Sequence, residues 1–295
     1  QKEIERFKPD IIHTHLLEAD LIARTCYYPK AKWFFHCHSN LKIFSKNHKD
    51  LKQNIVYKFE RAYLFNRIKE NGGTNFIAIS KNTYNYFKDK VKNYPLTLLP
   101  NAIDFKRFYN DSVKQVNTKL NLINIGSLTK LKNQVFLIDV AKYLNEIQID
   151  FELFILGEGV LRKSLEEKIN EYKLGDKVRL VGNVDDVNIY LQKSSIYLHT
   201  STSESFGLTT LEAMAAGLPV VTLDAGGNKD LIVEGKNGFL LKKEDVKTFT
   251  NKILEIHQNP EKHQQMNKFA KDFAKQYDIV EYVDKLTQLY INAQN

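Results

Sequence analysis

Short apolar runs alternate with longer segments of helical periodicity through the second part of the chain. Residues 122–125 have the composition of a buried strand, and the apolar positions of 134–145 then recur at helical spacing. The alternation continues through the strand-like runs 151–156, 178–181, 196–199, 220–223 and 238–241. Because single helices separate these runs, the pattern predicts right-handed crossovers and a parallel, doubly wound sheet.

The first part of the chain shows a shorter version of the same pattern. Strand-like runs occur at 10–13, 32–35, 76–79 and 96–99. Residues 100–104, Pro-Asn-Ala-Ile-Asp, interrupt the pattern and indicate the passage between two domains. The amphipathic segment 279–291 predicts a last helix. We therefore expect an α/β fold of two domains, which a chain of 295 residues is long enough to form.

The segment 201–220 places a dense set of polar groups next to a predicted strand. It reads Ser-Thr-Ser-Glu-Ser-Phe-Gly-Leu-Thr-Thr-Leu-Glu-Ala-Met-Ala-Ala-Gly-Leu-Pro-Val. Glu204 falls in a polar turn after the strand, and Glu212 falls in a stretch of high helix propensity. Between them, a helix that begins near Gly207 would offer free backbone N–H groups to an anion. An acid that accepts hydroxyl hydrogen bonds beside amides that bind phosphate suits a phosphorylated sugar.

This ordered string of strand, Ser/Thr turn, Glu, Phe-Gly, helix, Gly-Leu-Pro and strand resembles the signature of the family 4 retaining glycosyltransferases. The resemblance implies the GT-B fold, with two Rossmann-like, doubly wound parallel-sheet domains and a cleft between them. It assigns residues 1–112 to a partial N-terminal, acceptor-side domain and 113–275 to the nucleotide-sugar-binding domain, with the helix 276–295 crossing back to the first. Family members usually begin with a glycine-rich loop and further strand–helix units, so the first domain is expected to be incomplete.

The resemblance also implies roles for the residues of the motif. Glu204 would accept hydrogen bonds from the sugar hydroxyls, and Glu212 from the ribose hydroxyls. The segment between the two acids would bind sugar and phosphate through the amides and hydroxyls of Phe206, Gly207, Leu208 and Thr209. A separate segment corresponds to the one whose backbone reads the nucleobase edge, and it consists of Gly182, Asn183 and Val184.

The turn 126–133, Gly-Ser-Leu-Thr-Lys-Leu-Lys-Asn, follows the first predicted strand of the second domain. In the family this turn begins Gly-Arg-Leu, with a Lys-Asn pair a few residues on, and the Arg and Lys bind the donor diphosphate. Gly126 and Lys132 match this pattern, whereas Ser127 stands in place of the Arg. A serine hydroxyl donates one neutral hydrogen bond and lacks the bidentate charged geometry of a guanidinium. Diphosphate neutralisation is therefore expected to rest on Lys132, on the helix amides near Leu208 and Thr209, and on Lys130.

The sequence His36-Cys37-His38 follows the apolar run 33–35. Family members keep a histidine at the end of this strand, close to the anomeric carbon of the sugar, and His36 is the better match. His13 and His15 share the position after a strand and are expected to be structural or on the acceptor side. A His-x-His pair also resembles a metal pair. No clustered carboxylates complete such a site, and the family needs no catalytic metal, so neither a metal nor a cofactor is expected.

The net charge of +8 is unevenly distributed. Residues 1–112 hold 20 Lys and Arg against 11 Asp and Glu, and the rest of the chain holds 23 against 24. The segment 42–67 interleaves basic and apolar residues, the basic ones being Lys42, Lys46, Lys49, Lys52, Lys58, Arg61 and Arg67. Such a segment suits an anionic membrane surface, and it equally suits the solvated faces of an ordinary helix. Nucleic acid is not an expected partner, because no recognition motif accompanies the charge.

The sequence contains no apolar run of the roughly 18 residues that a membrane span requires. With only two cysteines, it favours a reducing, cytoplasmic location, and the basic first part suits the inner face of the membrane. The resemblance implies transfer of a hexose or N-acetylhexosamine from a nucleotide diphosphate sugar, with UDP the expected nucleotide. The acceptor would be a glycan or a lipid-linked sugar, and the anomeric configuration would be retained.

Three alternatives to this enzyme stay open. The first is a nucleotide-sugar-binding protein without turnover, which the serine at position 127 favours. The second is an epimerase or a phosphorylase with the same architecture. The third is a Rossmann oxidoreductase, which the incomplete glycine fingerprint at 156–159 disfavours.

Overall fold

The computed structural model describes residues 1–44, 51–111 and 119–294, and it divides into two compact units. Unit 1 comprises Gln1–Asn101 together with Tyr282–Asn295, and unit 2 comprises Ala102–Glu281. The domain boundary expected at 112/113 lies outside the described residues, as do Lys46 and Lys49 of the basic segment.

Unit 1 contains a parallel sheet of four described strands in the order β1-β2-β3-β4. Its elements are α1 (Lys2–Phe7), β1 (Ile11–His15), α2 (Leu17–Ala23), β2 (Lys32–Cys37), α3 (Leu51–Glu70), β3 (Asn75–Ala78), α4 (Lys81–Phe87) and β4 (Leu96–Leu98), with a short 3₁₀ turn at Lys42–Phe44. The four predicted strands are confirmed, but β1 and β2 each continue two residues further than expected. His13, His15 and His36 therefore lie within strands, and His38 comes directly after one.

Unit 2 contains a parallel sheet of six described strands in the order β10-β9-β8-β5-β6-β7. Its elements are α5 (Phe105–Phe108), β5 (Leu120–Ile125), α6 (Gln134–Glu146), β6 (Phe151–Leu156), α7 (Arg162–Glu171), β7 (Val178–Gly182), α8 (Asn188–Lys193), β8 (Ile196–His199), α9 (Leu208–Ala215), β9 (Val220–Leu223), β10 (Gly238–Leu241), α10 (Val246–His257) and α11 (Pro260–Lys275), with a 3₁₀ turn at Gly227–Leu231. The predicted doubly wound parallel sheet is confirmed.

The strand order of unit 2 reverses direction at its centre. From β5 the chain moves outward through β6 and β7, and it then returns to β8 on the other side of β5 before moving outward through β9 and β10. The apolar side chains of the strands pack against the helices, as Leu122 of β5, Leu137 of α6 and Phe249 of α10 illustrate. In an open α/β sheet, the carboxyl ends of the strands at such a reversal form the usual ligand site.

The last helix, α12 (Ile279–Gln294), contributes its residues from Tyr282 onward to unit 1. Tyr282, Leu286, Leu289, Tyr290 and Ala293 pack on one face of the unit 1 sheet, against Phe34, Ile77 and Leu99. The opposite face packs against α3 and α4 through Phe35, Cys37, Phe76, Leu64, Ile68 and Phe87. Among the helices of the described residues, none combines the length and apolarity of a membrane span.

Candidate functional site

The carboxyl ends of β5 and β8 are neighbours in unit 2, and this adjacency brings two distant turns together. The backbone N–H of Thr202 donates to the carbonyl of Leu131 at 2.9 Å, and the hydroxyl of Thr200 donates to the carbonyl of Lys132 at 3.0 Å. The turn after β5 is thus tied directly to the turn after β8. The two segments that carry the predicted diphosphate lysine and the predicted sugar carboxylate therefore meet at one place.

Lys132 and Glu204 form an ion pair at this edge, with 2.6 Å between Nζ and Oε2. Their side chains are 26% and 19% exposed, so the pair is largely removed from water. Burial by itself would raise the pKa of Glu204, but the adjacent His199 and Lys132 side chains outweigh burial and lower the pKa to about 2. The carboxylate is therefore ionised at any physiological pH, and it is held beside a cation.

His199 is a site residue that the sequence reasoning missed. It is the last residue of β8, it is buried, and its Nε2 lies 3.5 Å from Glu204 Oε2. Its Nδ1 lies 3.1 Å from the hydroxyl of Thr222, which also accepts a hydrogen bond from the Asn228 amide at 2.7 Å. The sequence signal that could have identified His199 is its position at the end of the strand that leads into the motif. The apolar residues before it made the whole run appear to be buried strand.

The helix α9 presents its N-terminus at the same edge. Gly207 is its N-cap, and the backbone N–H groups of Thr210 and Leu211 already donate to the Gly207 carbonyl. The amides of Leu208 and Thr209 come first in the helix, where no preceding carbonyl of the same helix can accept from them. The buried Tyr197 hydroxyl donates to the Thr209 hydroxyl at 2.8 Å and so fixes its position. This end of α9 can therefore bind an anion through donated hydrogen bonds.

Phe206 and Glu212 both belong to the motif, but their environments differ. The Phe206 ring is buried, with its centroid 5.9 Å from that of Tyr277, so only the backbone of Phe206 is available to a ligand. Burial raises the pKa of Glu212, and the positive charge of Arg107 partly opposes this effect. Arg107 lies in α5 and was also missed, because nothing in its local sequence connects it with the motif.

Close backbone approaches join the turns that follow β5, β6 and β7. Gly157 has a φ of +124°, and a Cβ atom there would lie 2.2 Å from the Gly126 carbonyl oxygen. The Gly157 amide donates to the Gly182 carbonyl at 2.8 Å, and the Gly126 amide donates to the Leu156 carbonyl at 2.9 Å. Gly182 and the two residues after it, Asn183 and Val184, thus belong to the same edge of the sheet as Gly126. Ser127 is exposed there, and its carbonyl accepts from Gln134 Nε2 at 3.0 Å.

The predicted site residue His36 lies in unit 1 and belongs to a cluster of four histidines. Its ring stacks on those of His13, His15 and His38, with centroids 5.2, 5.0 and 4.6 Å away. Burial, reinforced by the neighbouring imidazoles, lowers the pKa of His36 to about 3 and that of His13 to about 4. Burial also lowers the pKa values of His15 and His38. At neutral pH the cluster is therefore uncharged.

Unit 2 has the strand order of the Rossmann-like, nucleotide-binding α/β folds. Its candidate binding residues lie where that order reverses. The family model of the glycosyl transferases group 1 matches residues 106–273, and the model of Glycosyltransferase Family 4 matches residues 1–107. The chain therefore belongs to the group 1 glycosyl transferases, and the resemblance to family 4 is confirmed.

Individual relatives agree with this assignment. An uncharacterized glycosyltransferase of Methanocaldococcus jannaschii is 27% identical over 216 residues, which are 72% of this chain and 58% of the relative. The UDP-Gal:alpha-D-GlcNAc-diphosphoundecaprenol alpha-1,3-galactosyltransferase of Escherichia coli is 24% identical over 99% of this chain and 77% of the relative. The chain spans only 47% of a third relative, an uncharacterized glycosyltransferase of Haemophilus influenzae.

Solved structures show the same architecture. Anabaena HepE, crystallised in complex with UDP, has a TM-score of 0.83 and 20% identity, over 99% of this chain and 81% of that one. A sucrose-phosphate synthase from Thermosynechococcus elongatus has a TM-score of 0.80 over 99% of this chain and 75% of that one. The expected GT-B fold, with two Rossmann-like parallel-sheet domains, is therefore confirmed.

Proposed function

We propose that this chain belongs to a retaining glycosyltransferase that transfers a hexose or N-acetylhexosamine from a UDP-sugar to a glycan or lipid-linked acceptor. The observation that carries the proposal is the Lys132–Glu204 pair beside the N-terminus of α9, at the strand reversal of unit 2. The names of the relatives support the substrate classes. The Escherichia coli relative uses UDP-Gal with a diphosphoundecaprenol-linked acceptor, and HepE was crystallised with UDP.

The donor diphosphate is assigned to Lys132 and to the free amides of Leu208 and Thr209. The lysine is paired with Glu204, and Ser127 offers no charge in place of the family arginine. When the sugar leaves, negative charge develops on the departing diphosphate, and a cation and amides already in position stabilise it without reorganisation. Lys132 is thus the principal catalytic cation of the proposal.

The two glutamates are assigned to hydroxyl groups of the donor. Glu204 is ionised and accepts hydrogen bonds from the transferred sugar, and Glu212 accepts from the ribose. The backbone of 182–184 is assigned to the nucleobase edge. His36 stays a prediction for the anomeric neighbourhood, and it rests on the family resemblance. No cofactor and no catalytic metal form part of this mechanism.

The donor site is tested by calorimetric titration of the chain with UDP, GDP, ADP and NAD. We expect saturable UDP binding, which Lys132→Ala weakens about 10- to 100-fold, because a charge-assisted hydrogen bond contributes about 1.5–3 kcal/mol. The matched control is Lys163→Ala, which removes an exposed lysine from α7 of the same unit. Binding of NAD alone, or equal effects of the two substitutions, would contradict the proposal.

A second candidate function is nucleotide-sugar binding without turnover. The observation that favours it is the exposed, neutral Ser127 at the position of the family arginine. Incubation with UDP-glucose, UDP-galactose and UDP-N-acetylglucosamine, followed by assay of released UDP, separates the two functions. Donor binding without UDP release in the presence of acceptor would identify a binding protein. Product analysis distinguishes transfer from the epimerase and phosphorylase alternatives.

We also propose that unit 1 contacts the anionic inner face of a membrane as a peripheral cytoplasmic protein. The support is a cluster of exposed apolar side chains on α3, namely Ile55, Val56, Phe59 and Tyr63. The exposed basic residues Lys52, Lys58 and Arg61 lie on the same helix. Apolar side chains that enter the headgroup region, flanked by cations that attract anionic lipid, are the usual composition of such a contact.

A further inference from the structure

The histidine cluster of unit 1 arises from the alternation of side chains along two neighbouring parallel strands. In β1, His13 and His15 are two residues apart and therefore point to the same face of the sheet. In β2, His36 lies opposite His15 in the strand register, and His38 follows two residues later. Cys37 points to the opposite face, where it belongs to the apolar cluster under α3. The sheet thus gathers four imidazoles on one face, the face that also carries Phe34 and packs against α12.

The positions of the imidazole nitrogens suit a single metal ion. One nitrogen from each of His13, His15 and His36 can be chosen so that all three atoms lie within 4.8 Å of one another. His13 Nε2 lies 3.2 Å from His36 Nδ1. Nitrogens bound to one tetrahedral zinc ion at about 2.0–2.1 Å are roughly 3.3 Å apart, so the first two are already at that spacing.

A tyrosine hydroxyl holds the ring of His13 in position. His13 Nδ1 lies 2.5 Å from the Tyr290 hydroxyl, which leaves its Nε2 directed at His36. A second nitrogen held in this way is the usual support of a metal-binding histidine.

We propose that His13, His15 and His36 bind a divalent transition-metal ion of the zinc class, with His38 supporting His15 at 2.7 Å. The ligand set identifies the metal class, because imidazoles favour Zn²⁺, Co²⁺, Ni²⁺ and Cu²⁺, whereas Mg²⁺ and Ca²⁺ require oxygen ligands. The three rings leave a fourth position for water. His15 is exposed while His36 is buried, so the ion can enter from solvent.

Cys37 is excluded as a ligand by its direction, because it belongs to the apolar cluster on the opposite face of the sheet. This metal assignment gives His36 a role different from the one predicted for it beside the anomeric carbon, and its test uses no activity measurement.

The test is a titration of the untagged, metal-free full chain with Zn²⁺ in competition with a chromophoric chelator. We expect one Zn²⁺ per chain, with micromolar or tighter affinity. His15→Asn removes an exposed ligand and should weaken binding at least tenfold. The matched control is His257→Asn, which removes a histidine from α10 of unit 2 and should leave the affinity within twofold. Circular dichroism and thermal unfolding without metal establish that each variant is folded.

A second variant tests directly whether the side chain at position 15 binds the metal ion. In His15→Cys a thiolate replaces the imidazole, so metal binding should persist, and Co²⁺ should give a thiolate-to-metal charge-transfer band that the parent chain lacks. The absence of this band in the folded variant would overturn the proposal. It would also be overturned if the parent chain bound no stoichiometric Zn²⁺, or if His15→Asn and His257→Asn behaved alike.

Discussion

Glu204 and Glu212 belong to one segment of the sequence, yet their surroundings move their pKa values in opposite directions. Glu204 has Lys132 and His199 beside it, and its pKa falls to about 2. Glu212 is partly buried without so close a cation, and its pKa rises. The first carboxylate is stabilised in its charged form before any ligand arrives. The second carries an electrostatic cost that hydroxyl donors of a ligand can offset.

Glu212→Gln should therefore affect the thermal stability of the protein and its affinity for UDP in different ways. A carboxyl whose pKa is raised by folding stabilises the folded state below its unfolded pKa of 4.5 and loses that contribution as the pH rises through the folded value. At pH 8 the variant should unfold at an equal or higher temperature than the parent, and the difference should shrink as the pH falls toward 4.5. UDP affinity should decrease about 10-fold or more, since a charged acceptor is lost.

The measurements are thermal unfolding at several pH values and calorimetry with UDP. A lower unfolding temperature of the variant at pH 8 would contradict the electrostatic cost assigned to the ionised Glu212 carboxylate. Unchanged UDP affinity would contradict the assignment of Glu212 to the donor.

The sequence predicted the identity of these residues better than their contacts. The family resemblance supplied Lys132 and Glu204, but the two residues are 72 positions apart, and only the adjacency of β5 and β8 makes them an ion pair. His199 and Arg107 could not be singled out by local pattern. One ends an apolar run, and the other approaches Glu212 only through the packing of α5 on α9.

At the scale of elements, the ends of strands were predicted least well. The apolar pattern stopped at residues 13 and 35, whereas the hydrogen-bonded ladder of β1 and β2 includes His15 and His36. Polar residues at the carboxyl ends of parallel strands are common because ligands bind there, so hydrophobicity is a poor guide to where these strands end. The alternation that gathers the histidines on one face became visible only with the register.

Gly157→Ala tests how tightly the turn after β6 is fitted against the turn after β5. The substitution puts a Cβ 2.2 Å from the Gly126 carbonyl oxygen, and it places alanine at a φ of +124°. The strained backbone and the displaced turn should destabilise unit 2 by about 1–3 kcal/mol and weaken UDP binding. Gly175→Ala is the control, because a Cβ there meets nothing within 4 Å. Equal unfolding temperatures for the two variants would show that the backbone at positions 126 and 157 moves apart at little energetic cost.

At the scale of the molecule, the charge distribution and the exposed face of α3 predict reversible association with anionic lipid. Phe59 is 73% exposed on this helix, and Phe59→Ser should reduce flotation with phosphatidylglycerol vesicles severalfold. Val160→Ser is the matched control, since Val160 is 88% exposed but lies in unit 2. Added salt should weaken the association of the parent chain. Equal flotation of both variants, or flotation with neutral vesicles alone, would refute the contact.

The architecture as a whole was the most predictable level. Alternating strands and helices indicate a parallel sheet whatever the exact ends of the elements, and the crossover rule then restricts its topology. The order of the strands was not contained in that pattern. It is given by the structure, and it explains why the turns after β5 and β8 meet.

The placement of α12 has a consequence for biosynthesis. Residues 282–294 cover the apolar face formed by Phe34, Ile77 and Leu99, and they leave the ribosome after the rest of both units has been made. At about 5–20 residues per second, this face waits many seconds for its covering helix. Unit 1 therefore completes its fold only after unit 2 has been synthesised, and its apolar face stays exposed to aggregation during that interval.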